Sequence, residues 1–276
     1  MKIVAFLDDS LYAPSVVDHA LWLARGRRAC VELVHIVSPG ELRSMSFAPM
    51  HPTAAMVQLP DGDIDRKVAE LKREAHRRLE AVRELFAAAG VDDVITRVHE
   101  GNVLELMKNR ATDASIVVMG KRGDEADLAH LTLGSHVEAL VRSVQIPVLA
   151  VSRKFRPISR IVLATAAEDN SSPSVEALLR GIVPTAAVRL LHVGDGSEHV
   201  ESVLSDAAIR LGNAGFEATV QITDGEPRRV IPERLVLDGG DMLVVNAFGS
   251  SRMTSLILGS LTAELIRACQ VPVLLC

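Results

Sequence analysis

The sequence predicts two tandem α/β domains, each a parallel sheet covered by helices. Three observations lead there: the chain repeats itself in order, short apolar runs alternate with amphipathic stretches, and the interior must be aliphatic. With 276 residues the chain exceeds the commonest size of a single hydrophobic core, which makes two domains a reasonable prior. It is 48% hydrophobic and 24% charged but only 3% aromatic, so Val, Leu, Ile and Ala fill the cores. That composition favours helices packed on parallel strands.

The repeat is the stronger argument for two domains. Gly134, Ser135, Leu140, Arg142, Gln145, Pro147, Val148 and Leu149 recur in register as Gly259, Ser260, Leu265, Arg267, Gln270, Pro272, Val273 and Leu274. Three further pairs keep the same order. Ile3-Val4 matches Ile161-Val162, Leu33-Val34-His35-Ile36 matches Leu190-Leu191-His192-Val193, and Ile116-Val117-Val118 matches Leu243-Val244-Val245. The offset is 158 residues at the first strand (161 minus 3) and 125 at the Gly-Ser pair (259 minus 134), which leaves 33 extra residues in the first half. The expected domains are residues 1–153 and 157–276, joined by the basic, Pro-containing linker Lys154-Phe155-Arg156-Pro157.

Within the first half, apolar runs at Lys2 to Leu7, Val31 to Val37, Val94 to Val98, Ser115 to Met119 and Val148 to Val151 read as strands buried on both faces. Val16, Val17, Ala20, Leu21, Leu23 and Ala24 supply one apolar helix face, and Leu71, Ala75, Leu79, Val82, Leu85 and Phe86 another. This alternation calls for right-handed crossovers. Most of the extra residues fall between Ser38 and Asp63, a Pro- and Met-rich stretch with Met45, Phe47, Met50 and Met56. A long helical pattern follows from about Ile64 to Ala89, stopped at Gly90. A lid and a plain surface loop both fit the 38–63 segment.

Composition also excludes functions. A net charge of -5 offers no broad field to attract nucleic acid. Cys30, Cys269 and Cys276 are odd in number, and two lie in apolar segments, so a disulfide framework is not expected. The opening apolar run is too short for a signal peptide, and no stretch of eighteen apolar residues occurs; a cytoplasmic protein is expected.

Ligands of open parallel sheets bind beyond the carboxyl ends of the strands, where strand order reverses. Asp8 and Asp9 follow the first strand, Gly101 the third, and Gly120-Lys121-Arg122-Gly123 the fourth. Such glycines let main-chain N–H groups approach an anion, and a helix start at Gly134-Ser135 adds its positive end and a hydroxyl. Each feature alone is an ordinary turn or N-cap; their combination reads as a phosphate cradle. Val34 and Val98, near strand ends, are candidate apolar walls. Asp124 and Glu125 oppose phosphate if turned inward, and Lys121 and Arg122 offset them; all four read more readily as solvated loop charges.

Both halves resemble the universal stress protein family, a Rossmann-like fold with a five-stranded parallel sheet flanked by helices. The resemblance covers essentially the whole chain outside the 38–63 segment. The family's nucleotide pattern is Gly, two residues, Gly, nine residues, Gly, then Ser or Thr. The first half matches it with Gly120, Gly123, Gly134 and Ser135, the long spacer being ten residues. The second half has Gly249, Gly259 and Ser260, but Asn246 stands at the first Gly. The family's acidic residue after the first strand, which contacts the adenine or ribose end of ATP, corresponds to Asp8; the second half has Ala166 there. The resemblance thus implies an adenine nucleotide, ATP with or without Mg2+, bound in the first half, with a degenerate second site. It also implies pairing of the two halves through their fifth strands as an internal pseudo-dimer, beyond which a homodimer of chains stays open.

Enzymatic alternatives fare worse. No Walker A loop and no Gly-x-Ser-x-Gly elbow occurs. The nine histidines show no metal-ligand spacing; His35 and His192, at matching positions, suggest a shared hydrogen bond near a strand end, and His99 lies nearer the inferred pocket. The expected protein is a stress-response sensor or regulator that at most hydrolyses ATP slowly. The competing expectation is a nucleotide-independent scaffold that engages a protein partner through the Met-rich loop.

Overall fold

The computed structural model describes residues 1–40, 42, 61–121, 135–165, 173–245 and 260–276, with only the main chain of Asp61, Ser135, Pro173, Ser174 and Ser260. In the first half the strands are β1 (Lys2–Phe6), β2 (Cys30–Val37), β3 (Val94–Glu100), β4 (Ile116–Gly120) and β5 (Val148–Val151). Helices α1 (Ala13–Ala24), α2 (Asp61–Ala88), α3 (Val103–Ala111) and α4 (Ser135–Val141) alternate with them. The second half repeats the series as β6 (Arg160–Ala164), α5 (Pro173–Ile182), β7 (Ala187–Val193), α6 (Glu198–Asn213), β8 (Glu217–Thr223), α7 (Pro227–Leu237), β9 (Met242–Val245), α8 (Ser260–Ala268) and β10 (Val273–Leu275).

Each half orders its strands third, second, first, fourth, fifth, all parallel, and the halves fuse into one ten-stranded sheet, β3-β2-β1-β4-β5-β10-β9-β6-β7-β8. The seam is the single antiparallel step, where Val273 faces Ala150, Leu274 faces Leu149 and Leu275 faces Val148. The expected pairing of fifth strands is therefore present inside one chain. Both faces of the sheet carry a core that runs through the seam. Ile3, Leu33, Leu149, Ile161, Leu190 and Leu274 belong to one, under α1, α2, α5 and α6; Val4, Val117, Ala150, Leu243 and Val273 belong to the other, under α3, α4, α7 and α8. Two further contacts tie the halves. The Arg27 guanidinium donates to the Ile182 carbonyl at 2.7 Å, and the linker ring of Phe155 stands edge-on to His19, 4.9 Å between centroids.

Two expectations need correction. β3 is not buried on both faces: it is the edge of the sheet, and Ile95, Arg97 and Glu100 are exposed. The fourth strands match one residue away from the expected alignment. Ile116 pairs with Ile3, and Met242 pairs with Ile161, so Ile116 corresponds to Met242 rather than to Leu243. Ile116 to Met119 and Met242 to Val245 are all buried, so no apolar-polar alternation marks which residue faces which layer.

Candidate functional site

The order of strands reverses around β1, which has β2 on one side and β4 on the other. Ala5 pairs with Val118, so the chain leaving β1 at Leu7 and Asp8 continues towards the level of Gly120 and Lys121. That crevice between the carboxyl ends of β1 and β4 is where an open α/β sheet takes a ligand.

Asp8 is held in place by its own turn. Its Oδ1 accepts hydrogen bonds from the Ser10 N–H at 3.2 Å and the Ser10 hydroxyl at 2.6 Å. Ser10 is buried; its Oγ accepts from the Tyr12 N–H at 3.2 Å and its carbonyl from the Ala13 N–H at 3.1 Å, which ties the turn to the start of α1. Burial raises the Asp8 carboxyl above the ordinary aspartate range, while the Ser10 bonds and the nearby His35 ring oppose the rise. Sequence reading missed Ser10, although Asp-x-Ser is the pattern of a side chain that bonds the main chain two residues on. Asp9 plays another part: it forms an ion pair with Arg78 of α2 and so anchors that helix beside the crevice.

His35 and His192 do the same job in the two halves. The His35 ring bonds the Leu7 main chain, and His192 Nδ1 lies 3.2 Å from the Thr165 carbonyl, the residue 158 positions after Leu7. Burial lowers the pKa of His35, opposed by the Asp8 charge. Each ring therefore pins the chain where it leaves the first strand of its half, directly beneath Asp8 in the first.

Val34 and Val98 do not form two walls of one pocket. The register sets Val34 beside Arg97 and His35 beside Val98, and side chains alternate along a strand, so the two valines point to opposite faces. Val34 is fully buried in the core under α3, whereas Val98 packs towards Val37, Ile64 and Val68. Gly101, with φ of 146°, donates to the Val37 carbonyl at 3.1 Å and leads into α3, whose N-cap Asn102 accepts from the Glu105 N–H at 3.0 Å. His99 sits with Arg97, Arg110 and Glu32 rather than with Asp8.

Gly120 ends β4 opposite Val151. The next residue, Lys121, is not a solvated loop charge: its side chain is buried, and its ammonium donates to the Cys269 and Val271 carbonyls of the other half, each at 2.6 Å. Two of its three donors are thus committed to the seam between the halves. Ser135 opens α4. Arg122, Gly123, Asp124, Glu125 and Gly134 lie outside the described residues, as do Ala166, Asn246, Gly249 and Gly259 and most of the 38–63 segment. Among the described residues no three His, Cys, Asp or Glu side chains are grouped to hold a metal ion, and no helix is long and apolar enough to cross a membrane.

Comparison with known proteins agrees with this architecture. The sequence profile of the universal stress protein family matches residues 1–152 and again 159–276. The universal stress protein Slr1230 of Synechocystis sp. is 23% identical over 289 aligned positions, spanning 99% of this chain and 98% of that protein. A crystal structure of a universal stress protein from Archaeoglobus fulgidus superposes with a TM-score of 0.70 at 17% identity, covering 100% of this chain and 95% of the other. A second, from Pseudomonas aeruginosa, gives 0.60 at 15% identity over 99% and 92%. With the profile found in both halves, around the same strand order and the same crevice, the chain belongs to the universal stress protein family as a tandem of two such domains.

Proposed function

We propose that the first half binds an adenine nucleotide, ATP or a close relative, across the crevice between β1 and β4, and that occupancy makes the protein a sensor or regulator in a cytoplasmic stress response. The observation that supports this most is that Asp8 and Gly120 stand at the carboxyl ends of the adjacent strands β1 and β4, at the switch point of the sheet, with Asp8 already oriented by Ser10. Both Ser10 bonds end on Oδ1, which leaves Oδ2 to accept from the ribose hydroxyls or the base. A partly desolvated carboxylate makes strong charge-assisted hydrogen bonds with such donors. The main-chain amides from Gly120 through Gly123, and those at Gly134 and Ser135, would line the phosphates, with or without Mg2+. The second half carries Ala166 and Asn246 at the corresponding positions and acts as a structural partner. No residue is given a catalytic role, and turnover is at most slow ATP hydrolysis.

Mass spectrometry of small molecules released from the purified, denatured protein tests this reading, with a co-purifying adenine nucleotide as the expected result. A ligand at a hundredfold excess over its Kd adds about 2.7 kcal/mol to the folded state, so saturating ATP with Mg2+ should raise Tm by several degrees. No nucleotide on release, no thermal shift and no calorimetric heat together would sink the proposal.

A further inference from the structure

The two edges of the sheet occupy matching places in the two halves but have opposite chemistry. Gly90 and Gly215, with φ of 80° and 95°, end α2 and α6 in the same way. Val91 donates to the Phe86 carbonyl at 2.9 Å as Phe216 does to the Leu211 carbonyl at 3.0 Å, an offset of 125 residues (216 minus 91). On the edge strands, Thr96 pairs with Leu33 and Val220 with Leu190, an offset of 124 (220 minus 96). Glu80, Glu84 and Thr96 in the first half therefore stand where Ser205, Ile209 and Val220 stand in the second.

In the first half those positions close on one another through polar groups. The Thr96 hydroxyl donates to Glu80 at 2.8 Å, and Arg83 pairs with the same carboxylate. In the second half they open into an apolar groove of about 590 Å3 between α6 and β8, with Glu201 its one charged lining residue. Ile209 is 58% exposed and Val220 40%. An edge strand with free N–H and C=O groups beside such a groove is a template for another strand.

The geometry points to this edge as the homodimer interface of the chain, with β8 pairing antiparallel to β8 of a second copy about a two-fold axis at Val220. Val220 is the middle residue of β8, so the axis sets Thr219 opposite Gln221, Ala218 opposite Ile222 and Glu217 opposite Thr223. No like charges meet. The other edge is disfavoured for the same centred pairing, because the middle residue of β3 is Arg97 and self-pairing would set arginine against arginine. The contact is isologous and closes at two copies, as most soluble oligomers do. Val220 and its mate would lie on one face of the extended sheet, so the two grooves merge. The two α6 helices, running in opposite directions, then cover the exposed Ile209 side chains. The seam between β5 and β10 shows the same antiparallel joining of two halves already at work inside the chain.

Sedimentation or light scattering of the full-length protein over a range of concentrations tests this. The expected result is a dimer for the native chain, a monomer for Val220→Lys and a retained dimer for Thr96→Lys, the matching change on the other edge. Circular dichroism establishes that each variant is folded. A second probe is Val220→Cys in a Cys30→Ser background: directly opposed strand residues lie about 4.5–5.5 Å apart, within disulfide reach, so oxidation should give a covalent dimer. That probe decides the matter if Val220→Lys does not fold. A native chain that stays monomeric, including one that only takes up a peptide or small apolar molecule in the groove, overturns the proposal. So does a dimer that survives in folded Val220→Lys or is lost in Thr96→Lys, or a Val220→Cys variant that does not cross-link.

Discussion

The ammonium of Lys121 lies 2.6 Å from the carbonyl oxygen of Cys269, a contact that joins the end of β4 in the first half to the turn before β10 in the second. The same ammonium also holds the Val271 carbonyl. A buried lysine bonded to two carbonyls is costly to place and costly to remove, since an abandoned buried carbonyl loses about 1–3 kcal/mol. Lys121→Met is therefore expected to destabilise the protein by about 2 kcal/mol, read from urea unfolding. Amide exchange at residues 269–273 should accelerate in the same variant, and an unchanged exchange rate there would argue against the contact.

Asp8 offers the direct test of the ligand reading. Asp8→Ala removes a charged acceptor worth about 1.5–3 kcal/mol, so affinity for ATP should fall roughly ten- to a hundredfold by calorimetry. Ser10→Ala, which frees the carboxylate to rotate without removing it, should weaken binding by less. Equal affinities in all three proteins would separate Asp8 from the nucleotide.

Glu32 is the most deeply buried acid described, 3% exposed, and it faces Lys2 at 2.9 Å, Arg97 at 3.3 Å and Arg110 at 3.6 Å. The corresponding residue of the second half is Arg189, which pairs with Asp238 at 2.6 Å, so the same position carries opposite charges in the two copies. Glu32→Gln leaves Arg97 and Arg110 without this carboxylate, while Lys2 keeps Asp113 at 2.8 Å. Because Lys2, Arg97 and Arg110 remain partly in water, the expected loss is about 3 kcal/mol, the low end for a broken buried pair. Thermal or denaturant unfolding would measure it.

His19 predicts a pH dependence. Burial lowers its pKa from 6.5 to about 4, against the opposing bond from its ring to the Ser15 carbonyl. Between those values the unfolded chain takes up a proton that the folded chain does not. The His19 contribution is thus fully present above about pH 6.5 and lost as pH falls towards 4, a change of roughly 3 kcal/mol. His35, lowered by burial as well, acts in the same direction. In His19→Leu the slope of unfolding free energy against pH should flatten over this interval, and an unchanged slope would locate the effect elsewhere.

The repeat of Gly134-Ser135 and Pro147 in Gly259-Ser260 and Pro272 made the duplication legible, because these residues recur in register at a constant offset of 125 (259 minus 134). The matching of His35 and His192 was also legible, and both rings serve the strand-end bond expected of them. The one-residue shift between β4 and β9 was not, since two wholly apolar strands carry no pattern from which to read register. Val34 and Val98 looked alike as strand-end valines, and only the pairing of β2 with β3 shows that they face different layers. Nothing local distinguishes Lys121 from the charged residues that follow it in the sequence, because its partners lie 148 and 150 residues away.

By itself, the sequence determined what depends on local pattern: alternating strands and helices, two copies of one unit, aliphatic cores, and an acidic residue and glycines after particular strands. Tertiary structure decided what depends on where distant segments meet. It joined the copies into one sheet at β5 and β10, turned Lys121 across that seam, and left one edge polar and the other apolar. The physical reason is that a residue's propensity and periodicity are set by its neighbours along the chain. Its burial and partners are set by the packing of elements that the chain brings together only when folded.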